Sequence, residues 1–330
     1  MRNAKLFYMI PSKILITGSS GYCGNFLAVH FAQKGIPVVG LDLRPHSVVR
    51  DIPNYKFMAF DVRNKEVFKK IVEMEQPSHI IHLAYLMDPV HDSQYEFDVD
   101  VVGSKNVFEV ANEVPCVKQF ILMSSTSAYG AMPDNPDWIK EDRPLNGYDY
   151  NYGIYKKQVE EYYGQYDKRS DLKLVIFRMC TAVGPSYYKK GGVVSAVTHA
   201  PFLIDIMGGN GKIQFIHEDD VKAIFDQVAN DEKLEGIFNL VPNDFSSTKE
   251  LGVALKKMFI PVPLWLLRGA FWLLWQLHLA ALKPSHARLM AYGIVATPEK
   301  LMKILGYQFK YGTKTAFMDA VEKRKANGTL

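Results

Sequence analysis

Tyr152 and Lys156 stand four positions apart, a spacing that suits proton transfer. On a helix this spacing places both side chains on one face. A neighbouring ammonium group is expected to lower the pKa of a phenol from about 10 towards neutral pH. Such a tyrosine can exchange a proton with a hydroxyl group while a hydride moves at the same carbon. An exposed amphipathic helix without catalytic function is the alternative interpretation of this pair alone.

A run of hydroxyl residues at 124–130 follows a predicted strand at 118–123. Ligands of parallel α/β sheets bind at the carboxyl ends of the strands. A hydroxyl group in this run can therefore hydrogen-bond the reacting oxygen. Taken by itself, the run is also typical of a serine-rich turn.

A glycine loop follows the first predicted strand, at 13–17, and opens a predicted helix at 22–34. Gly18, Gly21 and Gly24 allow the backbone to turn tightly and approach a pyrophosphate, which the helix N-terminus then attracts. Asp42 follows at the distance where an acidic residue binds the adenosine ribose. Its carboxylate favours NAD over NADP, although Arg44 could pair with a 2′-phosphate.

Strand and helix patterns alternate through the first two thirds of the chain, which predicts an α/β fold with a doubly wound parallel sheet. The NAD-binding domain is predicted over 13–180, with a return to it near 213–241. A smaller, mostly helical substrate-binding region is predicted over 181–212 and 242–330. Further predicted elements are strands at 37–41, 55–60, 79–83 and 172–178 and helices at 64–74, 93–112, 150–168 and 219–230.

Composition excludes several functional classes. A net charge of +4 without a basic cluster argues against nucleic-acid binding. The three cysteines form no metal or redox motif and favour a reducing, cytoplasmic setting. The apolar run at 6–10 is too short for a signal peptide. The acids that follow His217 are interpreted as the start of a helix, and no metal is predicted.

These motifs together resemble the extended short-chain dehydrogenase/reductase superfamily, of the NAD-dependent epimerase/dehydratase type. The resemblance extends from about residue 13 to the helix after residue 220. It rests on Gly18, Gly21, Gly24, Asp61, Val62, His82, Leu83, Ala84, Ser125, Tyr152, Lys156, Arg178, Gly184, Pro185, His217 and Asp220.

The resemblance implies NAD as cofactor, a small-molecule substrate and a homodimer. It also implies roles: Tyr152 as acid/base, Lys156 as its partner and a ligand of the nicotinamide ribose, and Ser125 as the group that orients the substrate oxygen. The residues expected around the cofactor are Gly18, Ser20, Gly21, Tyr22, Cys23, Gly24, Asp42, Leu43, Arg44, Asp61, Val62, Leu83, Ala84, Tyr85, Ser124, Tyr152, Lys156 and Cys180.

Departures from the family pattern narrow the expected reaction. Asp100 stands where many members have Asn near the nicotinamide. Thr126 and Ser127 replace the Asp-Glu pair of dehydratases, and Thr181 replaces an Asn common in sugar-nucleotide enzymes. The pattern is closest to members that act on hydroxysteroid-like or other apolar substrates, which predicts oxidation of a secondary alcohol or reduction of a ketone. A nucleotide-sugar 4-epimerase and a non-catalytic NAD-binding protein are the alternatives.

The segment 264–282 is unusually apolar and contains three tryptophans and Arg268. Three interpretations remain open. The segment could be a buried helix of the substrate region, a wall or lid of a pocket for an apolar substrate, or a helix lying in a membrane interface.

Overall fold

The computed structural model describes residues 11–45, 51–186, 192–231 and 233–330. Strands in this part of the chain are β1 Ile14–Thr17, β2 Val38–Asp42, β3 Tyr55–Ala59, β4 His79–His82, β5 Gln119–Ser125, β6 Lys173–Met179, β7 Thr181–Val183, β8 Phe202–Met207, β9 Lys212–Ile213, β10 Phe215–His217, β11 Gly236–Leu240, β12 Ser246–Ser247 and β13 Met258–Pro263.

Helices alternate with these strands. They are α1 Tyr22–Gln33, α2 Lys65–Glu75, α3 Ser93–Phe97, α4 Gly103–Glu113, α5 Asn151–Gln165, α6 Gly192–His199, α7 Glu218–Ala229, α8 Thr248–Ala254, α9 Leu264–Gln276, α10 Pro284–Ala291, α11 Glu299–Leu305 and α12 Thr313–Ala326. A π-helical turn at Asp98–Val102 joins α3 to α4, and a 3-10 turn at Thr126–Tyr129 follows β5.

A seven-stranded sheet in the order β3-β2-β1-β4-β5-β6-β11 forms the centre of the molecule. All of its strand pairs are parallel. Thr17 at the end of β1 is paired with Leu41 of β2 and His82 of β4, so the three strands end at one level. The strand order reverses between β1 and β4, and a ligand crevice forms at such a switch point. The predicted doubly wound α/β fold is confirmed.

Two apolar layers cover the sheet because successive side chains of a strand point to opposite faces. Ile14 and Ile16 of β1 pack in one core with α1 and α7. Leu15, between them, packs in the other core with α2, α4 and α5. Strands buried on both faces contain continuous apolar runs, and β1 is buried at all four positions.

Small sheets outside the main one support the C-terminal region. In these sheets β7 pairs with β10, β8 with β13, and β9 with β12. Helix α9 ends at Gln276, and His278 has a φ of 56°, so a single helix does not continue to residue 282. In the described ranges, none of the helices combines the length and the apolar character needed to cross a membrane.

Candidate active site

The glycine loop after β1 fits a phosphate group because neither Gly18 nor Gly24 has room for a side chain. Gly18 has a φ of +72°, and a Cβ there would lie 2.6 Å from the backbone N of Ala84. A Cβ on Gly24 would lie 2.1 Å from the Gly18 carbonyl oxygen. Helix α1 begins without a side-chain cap and with no acidic residue in its first turn. The loop thus presents closely packed backbone and a positive helix end, which suits a pyrophosphate.

Asp42 ends β2 with its carboxylate fixed beside this loop. Its Oδ2 accepts from the Ser20 N–H at 3.0 Å, and its Oδ1 accepts from the Leu43 N–H at 2.7 Å. The Ser20 hydroxyl donates to the Arg44 carbonyl at 2.6 Å, while Arg44 itself is exposed. A carboxylate with two oxygens retains acceptor sites for ribose hydroxyls beyond these two bonds.

Tyr22 and Cys23 open α1 with side chains that turn into the protein. The Tyr22 hydroxyl donates to Glu218 of α7 at 2.7 Å. Burial raises the pKa of the Cys23 thiol to about 12. Cys180 follows β6 in the same apolar core, and burial raises its pKa as well. These thiols are protonated at neutral pH, because the thiolate form is disfavoured without water.

Asp61 and Val62 lie beyond β3 in different surroundings. Both carboxylate oxygens of Asp61 accept from the Arg63 guanidinium, at 3.0 and 2.6 Å, and this hydrogen bonding lowers the pKa of Asp61. Val62 packs under Gly103, where a Cβ would lie 2.5 Å from a Val62 methyl carbon. Val62, one of the residues expected around the cofactor, is therefore tightly packed.

Lys156 and Tyr152 both lie on α5, as their spacing predicted. Lys156 is 2% exposed; its Nζ donates to the Met123 carbonyl at 2.7 Å and lies 3.2 Å from the ring centroid of Tyr85. The Tyr85 and Tyr152 rings meet edge to face at 5.6 Å. Burial lowers the pKa of Lys156 to about 7, against the opposing effect of the Asp100 carboxylate. The structure therefore brings Tyr85, Tyr152 and Lys156 into one cluster.

The expected direction of the Tyr152 pKa shift was wrong for this arrangement. Burial raises the pKa of Tyr152, the neighbouring Tyr150 adds to the rise, and a hydrogen bond with Ser125 acts in the opposite direction. The physical reason is burial of the phenol, which disfavours its charged form; the Lys156 ammonium donates to the Met123 carbonyl and lies 5.5 Å from the Tyr152 ring centroid. Ser125 is also the N-cap of the 3-10 turn and accepts from the Ser127 N–H at 3.1 Å.

A buried ion pair fixes β6 against α5 beneath this cluster. Arg178 of β6 donates to Glu160 Oε2 from Nε at 2.9 Å and from Nη2 at 2.8 Å. Ser124, predicted to contact the cofactor, donates its hydroxyl hydrogen to the other oxygen of Glu160. Glu160 was not singled out from the sequence, because a glutamate on a helix carries no signal that its partners lie on two strands.

Asp100 is buried where the π-helical turn faces the loop after β4. Its Oδ1 accepts from the Leu86 N–H at 2.8 Å, and its Oδ2 has no hydrogen-bond partner among the described residues. Burial raises the pKa of Asp100 to about 7, while the Leu86 N–H and Lys156 act to lower it. The substitution of Asp for the family's Asn thus puts a titratable group close to Lys156.

Histidines near the strand ends have structural partners. His82 joins Thr17 at 2.7 Å and Ser104 at 2.9 Å, and burial lowers its pKa to about 3. His217 caps α7 and accepts from the Asp219 N–H at 3.1 Å, which agrees with the predicted helix start. Groups of three or more His, Cys, Asp or Glu side chains placed to hold a metal ion do not occur in the described part of the chain.

Residues of the C-terminal region border the site, and their contacts with it were not predicted from the sequence. Arg268 of α9 pairs with Asp149 at 2.8 Å, and Lys283 pairs with the buried Glu96 at 3.2 Å. The His286 ring of α10 packs against Tyr150 at 5.1 Å. The two ion pairs join residues 119 and 187 positions apart. Contacts at such separations leave no local pattern by which a sequence could reveal them.

The chain belongs to the NAD dependent epimerase/dehydratase family, which it matches over residues 14–240. This membership confirms the prediction of an NAD-dependent enzyme of the extended short-chain dehydrogenase/reductase type.

Relatives and solved structures extend the likeness over most of the chain. An uncharacterized protein of Mycobacterium bovis is 24% identical over 94% of this chain and 83% of its own length. The CDP-paratose 2-epimerase of Salmonella typhi is 25% identical over 69% of this chain and 78% of its own length. The crystal structure of the Bordetella bronchiseptica enzyme WbmG with NAD and UDP has a TM-score of 0.77 at 19% identity, covering 98% of this chain and 97% of that one.

Proposed function

We propose that this protein is an NAD-dependent oxidoreductase that interconverts a secondary alcohol and a ketone, with Tyr152 as the acid/base. The observation that carries the proposal is the cluster of Ser125, Tyr152 and Lys156 at the carboxyl end of the sheet, where the glycine loop also lies. Carbonyl reduction and alcohol oxidation require the groups that these residues supply at the carboxyl end of the sheet: a hydroxyl, a phenol and a buried cation.

Each group has a distinct role in the proposed reaction. The Ser125 hydroxyl holds the substrate oxygen, and Tyr152 donates a proton to it in reduction or accepts one in oxidation. The Lys156 ammonium stabilises the tyrosinate and binds the nicotinamide ribose. The loop of Gly18, Gly21 and Gly24 would hold the pyrophosphate of NAD, and Asp42 its adenosine ribose. When bound, NAD accepts or supplies the hydride.

The surroundings of Tyr152 favour an apolar substrate. Tyr85 and Tyr150 pack against the Tyr152 ring, at 5.6 and 5.8 Å. Two cations of the C-terminal region, Arg268 and Lys283, are already paired with carboxylates. A nucleotide diphosphate needs cations whose charge is available to its phosphates. Aromatic walls with neutralised cations suit a hydroxysteroid-like or other apolar alcohol better.

One observation favours an epimerase acting on a nucleotide sugar instead. Arg288 of α10 donates to the Ala131 carbonyl at 2.9 Å and lies 4.8 Å from the ring centroid of Tyr148, and it has no carboxylate partner among the described residues. An arginine with uncompensated charge is a suitable ligand for a phosphate. The Salmonella typhi relative, a CDP-paratose 2-epimerase, agrees with this alternative.

Absorbance at the NADH band separates the two functions. The purified protein with NAD⁺ is offered a set of cyclic and steroidal secondary alcohols and, separately, UDP-hexoses. We expect net NADH formation with an apolar alcohol and none with the UDP-hexoses. Isomerisation of a UDP-hexose without net NADH would establish the epimerase instead. The Arg288→Met variant sharpens the result, because it should leave alcohol oxidation unchanged and would disable a diphosphate-binding enzyme.

A further inference from the structure

Helix α9 is apolar on nearly all sides, yet only one face is covered by the protein. Its inner face places Leu267 and Phe271 in a small core with Ile206 of β8 and Ala287 of α10, where they are 4% and 7% exposed. Its outer face carries Trp265 and Trp272, which are 73% and 55% exposed. A helix that is apolar all round is normally buried on all sides. The exposed side therefore lacks a partner within the described protein.

The exposed face continues onto the small sheet of β8 and β13. Side chains of a strand alternate between its faces, so Met258, Ile260 and Val262 share one face. Val262 packs into the core under α9, whereas Met258 and Ile260 lie beyond the helix and are exposed. Together with the helix and its end they form one surface, here named the outer apolar surface: Phe202, Met258, Ile260, Trp265, Leu266, Trp272, Leu273, Leu277 and Leu279.

Basic residues outnumber acidic ones in the part of the chain that supplies the outer apolar surface. The stretch 251–298 contains no Asp or Glu but five Lys and Arg residues, of which Arg268 and Lys283 are paired with carboxylates elsewhere in the chain. Lys256, two positions before Met258, is exposed. Lys257 donates to the carbonyl oxygens of Thr198 and Ala200, both at 2.6 Å, so its charge is not cancelled by a carboxylate. Asp205 of β8 points to the opposite face of the small sheet and pairs with Lys249.

We propose that the outer apolar surface docks on an anionic lipid bilayer, with the tryptophans at headgroup depth and α9 parallel to the membrane plane. Tryptophan combines an apolar body with a polar N–H and is favoured at this depth. Basic residues beside an apolar face add attraction to anionic headgroups. Since no described helix is long and apolar enough to span the bilayer, the contact is shallow.

A second copy of this chain fits the surface less well. A two-fold dimer brings the same patch together with itself. Such a dimer would bring the Lys256 and Lys257 of both copies to one interface, and 251–298 contains no carboxylate to pair with them. Anionic lipid supplies the negative charge that a second copy does not.

The same helix also borders the candidate active site. Trp275 of α9 and His278 stack on opposite sides of His91, with ring centroids 3.7 and 3.8 Å away. His91 belongs to the loop that follows β4 and leads into α3. Docking through the outer apolar surface therefore brings the loop that follows β4 close to the lipid.

Vesicle flotation tests the proposal with the full-length protein. We expect it to float with vesicles of phosphatidylcholine and phosphatidylglycerol, more weakly with phosphatidylcholine alone, and less as salt is raised. The double variant Trp265→Glu/Trp272→Glu should lose about tenfold or more in vesicle affinity, because two aromatic side chains no longer leave water. A double variant that melts at the wild-type temperature shows that the loss is not due to unfolding.

Ile304→Glu provides the matched control, because Ile304 is also exposed but lies on α11, outside the outer apolar surface. Its flotation should equal that of wild type. Wild-type protein that stays unbound to the anionic vesicles, or a double variant that floats equally well, would overturn the proposal. A different result would assign the surface to a second copy of the chain: the wild-type protein is a dimer, the double variant is a monomer, and neither protein floats with vesicles.

Discussion

The candidate active site and the outer apolar surface differ in kind: the first buries polar groups, and the second exposes apolar side chains. In the candidate active site, buried polar groups such as Glu160 and Lys156 are bound by neighbours that hold them in fixed positions. On the outer apolar surface, Trp265 and Trp272 lie in water and the adjacent Lys256 is exposed. A region whose polar groups are satisfied internally is organised before any ligand arrives, whereas a large exposed apolar patch marks a surface that contacts another phase or molecule.

Tyr152→Phe is expected to have the largest effect on the candidate active site. Loss of the phenol hydroxyl should lower turnover by about 10²- to 10⁴-fold, since general acid/base catalysis contributes that much. NAD affinity should stay at the wild-type value, because the ring and its contact with Tyr85 remain. Steady-state rates and a cofactor titration measure the two quantities. Tyr155→Phe, on the same helix, is the control and should retain turnover; equal activity of the Tyr152 variant would remove Tyr152 from the reaction.

Arg178→Met tests how much the candidate active site depends on the buried ion pair between Arg178 and Glu160. We expect a loss of about 3–5 kcal/mol in the free energy of unfolding, because Glu160 is left buried without its partner. Arg63→Met breaks the more exposed pair with Asp61 and should cost about 0–1 kcal/mol. Urea denaturation compares the two variants. Equal losses would show that burial does not distinguish these ion pairs.

Gly24→Ala tests the close packing of the glycine loop. The added Cβ meets the Gly18 carbonyl oxygen, so the loop must shift, and NAD affinity should fall about tenfold or more, equivalent to about 1.4 kcal/mol. Gly164→Ala on α5 is matched in chemistry, but its Cβ meets nothing within 4 Å. That control should stabilise the protein by about 0.5–1 kcal/mol and bind NAD normally. An unchanged affinity in Gly24→Ala would separate the loop from cofactor binding.

Asp100→Asn is expected to have the smallest effect, a displacement of the pH profile. The Asp100 carboxylate raises the pKa of Lys156 against the lowering effect of burial. Its removal should lower the pKa of Lys156 further, so the alkaline limb of the kcat profile moves to lower pH. Asp98→Asn, whose carboxylate accepts from Gln94, should leave the profile unmoved. A shift of the limb to higher pH in the Asp100 variant would contradict the electrostatic argument.

The two regions also differ in how well the sequence predicts them. The alternation of short apolar runs with amphipathic helices predicted the parallel sheet, because those patterns are local and repeat along the chain. Gly18, Gly21 and Gly24 were identified for the same reason. The spacing of Tyr152 and Lys156 predicted one helical face, but not that burial would raise the pKa of Tyr152. Burial depends on neighbours from other strands and helices.

In the C-terminal region the apolar segment 264–282 left three interpretations open. A sequence of this kind is compatible with a helix in a core, in a pocket wall or in a membrane interface. The structure shows one buried face and one exposed face of α9, so a fully buried helix is wrong. The ion pairs of Arg268 and Lys283 connect this region to the site over more than a hundred residues, and tertiary packing alone decides them.

Calorimetric titration of the wild-type protein with NAD⁺ and with NADP⁺ tests most directly whether the carboxyl end of the sheet binds NAD. The fixed carboxylate of Asp42 predicts that NAD⁺ binds and that NADP⁺ binds at least about tenfold more weakly, because the 2′-phosphate meets a negative charge. Asp42→Ala should reduce that difference. Tighter binding of NADP⁺, or no binding of either nucleotide, would contradict the account.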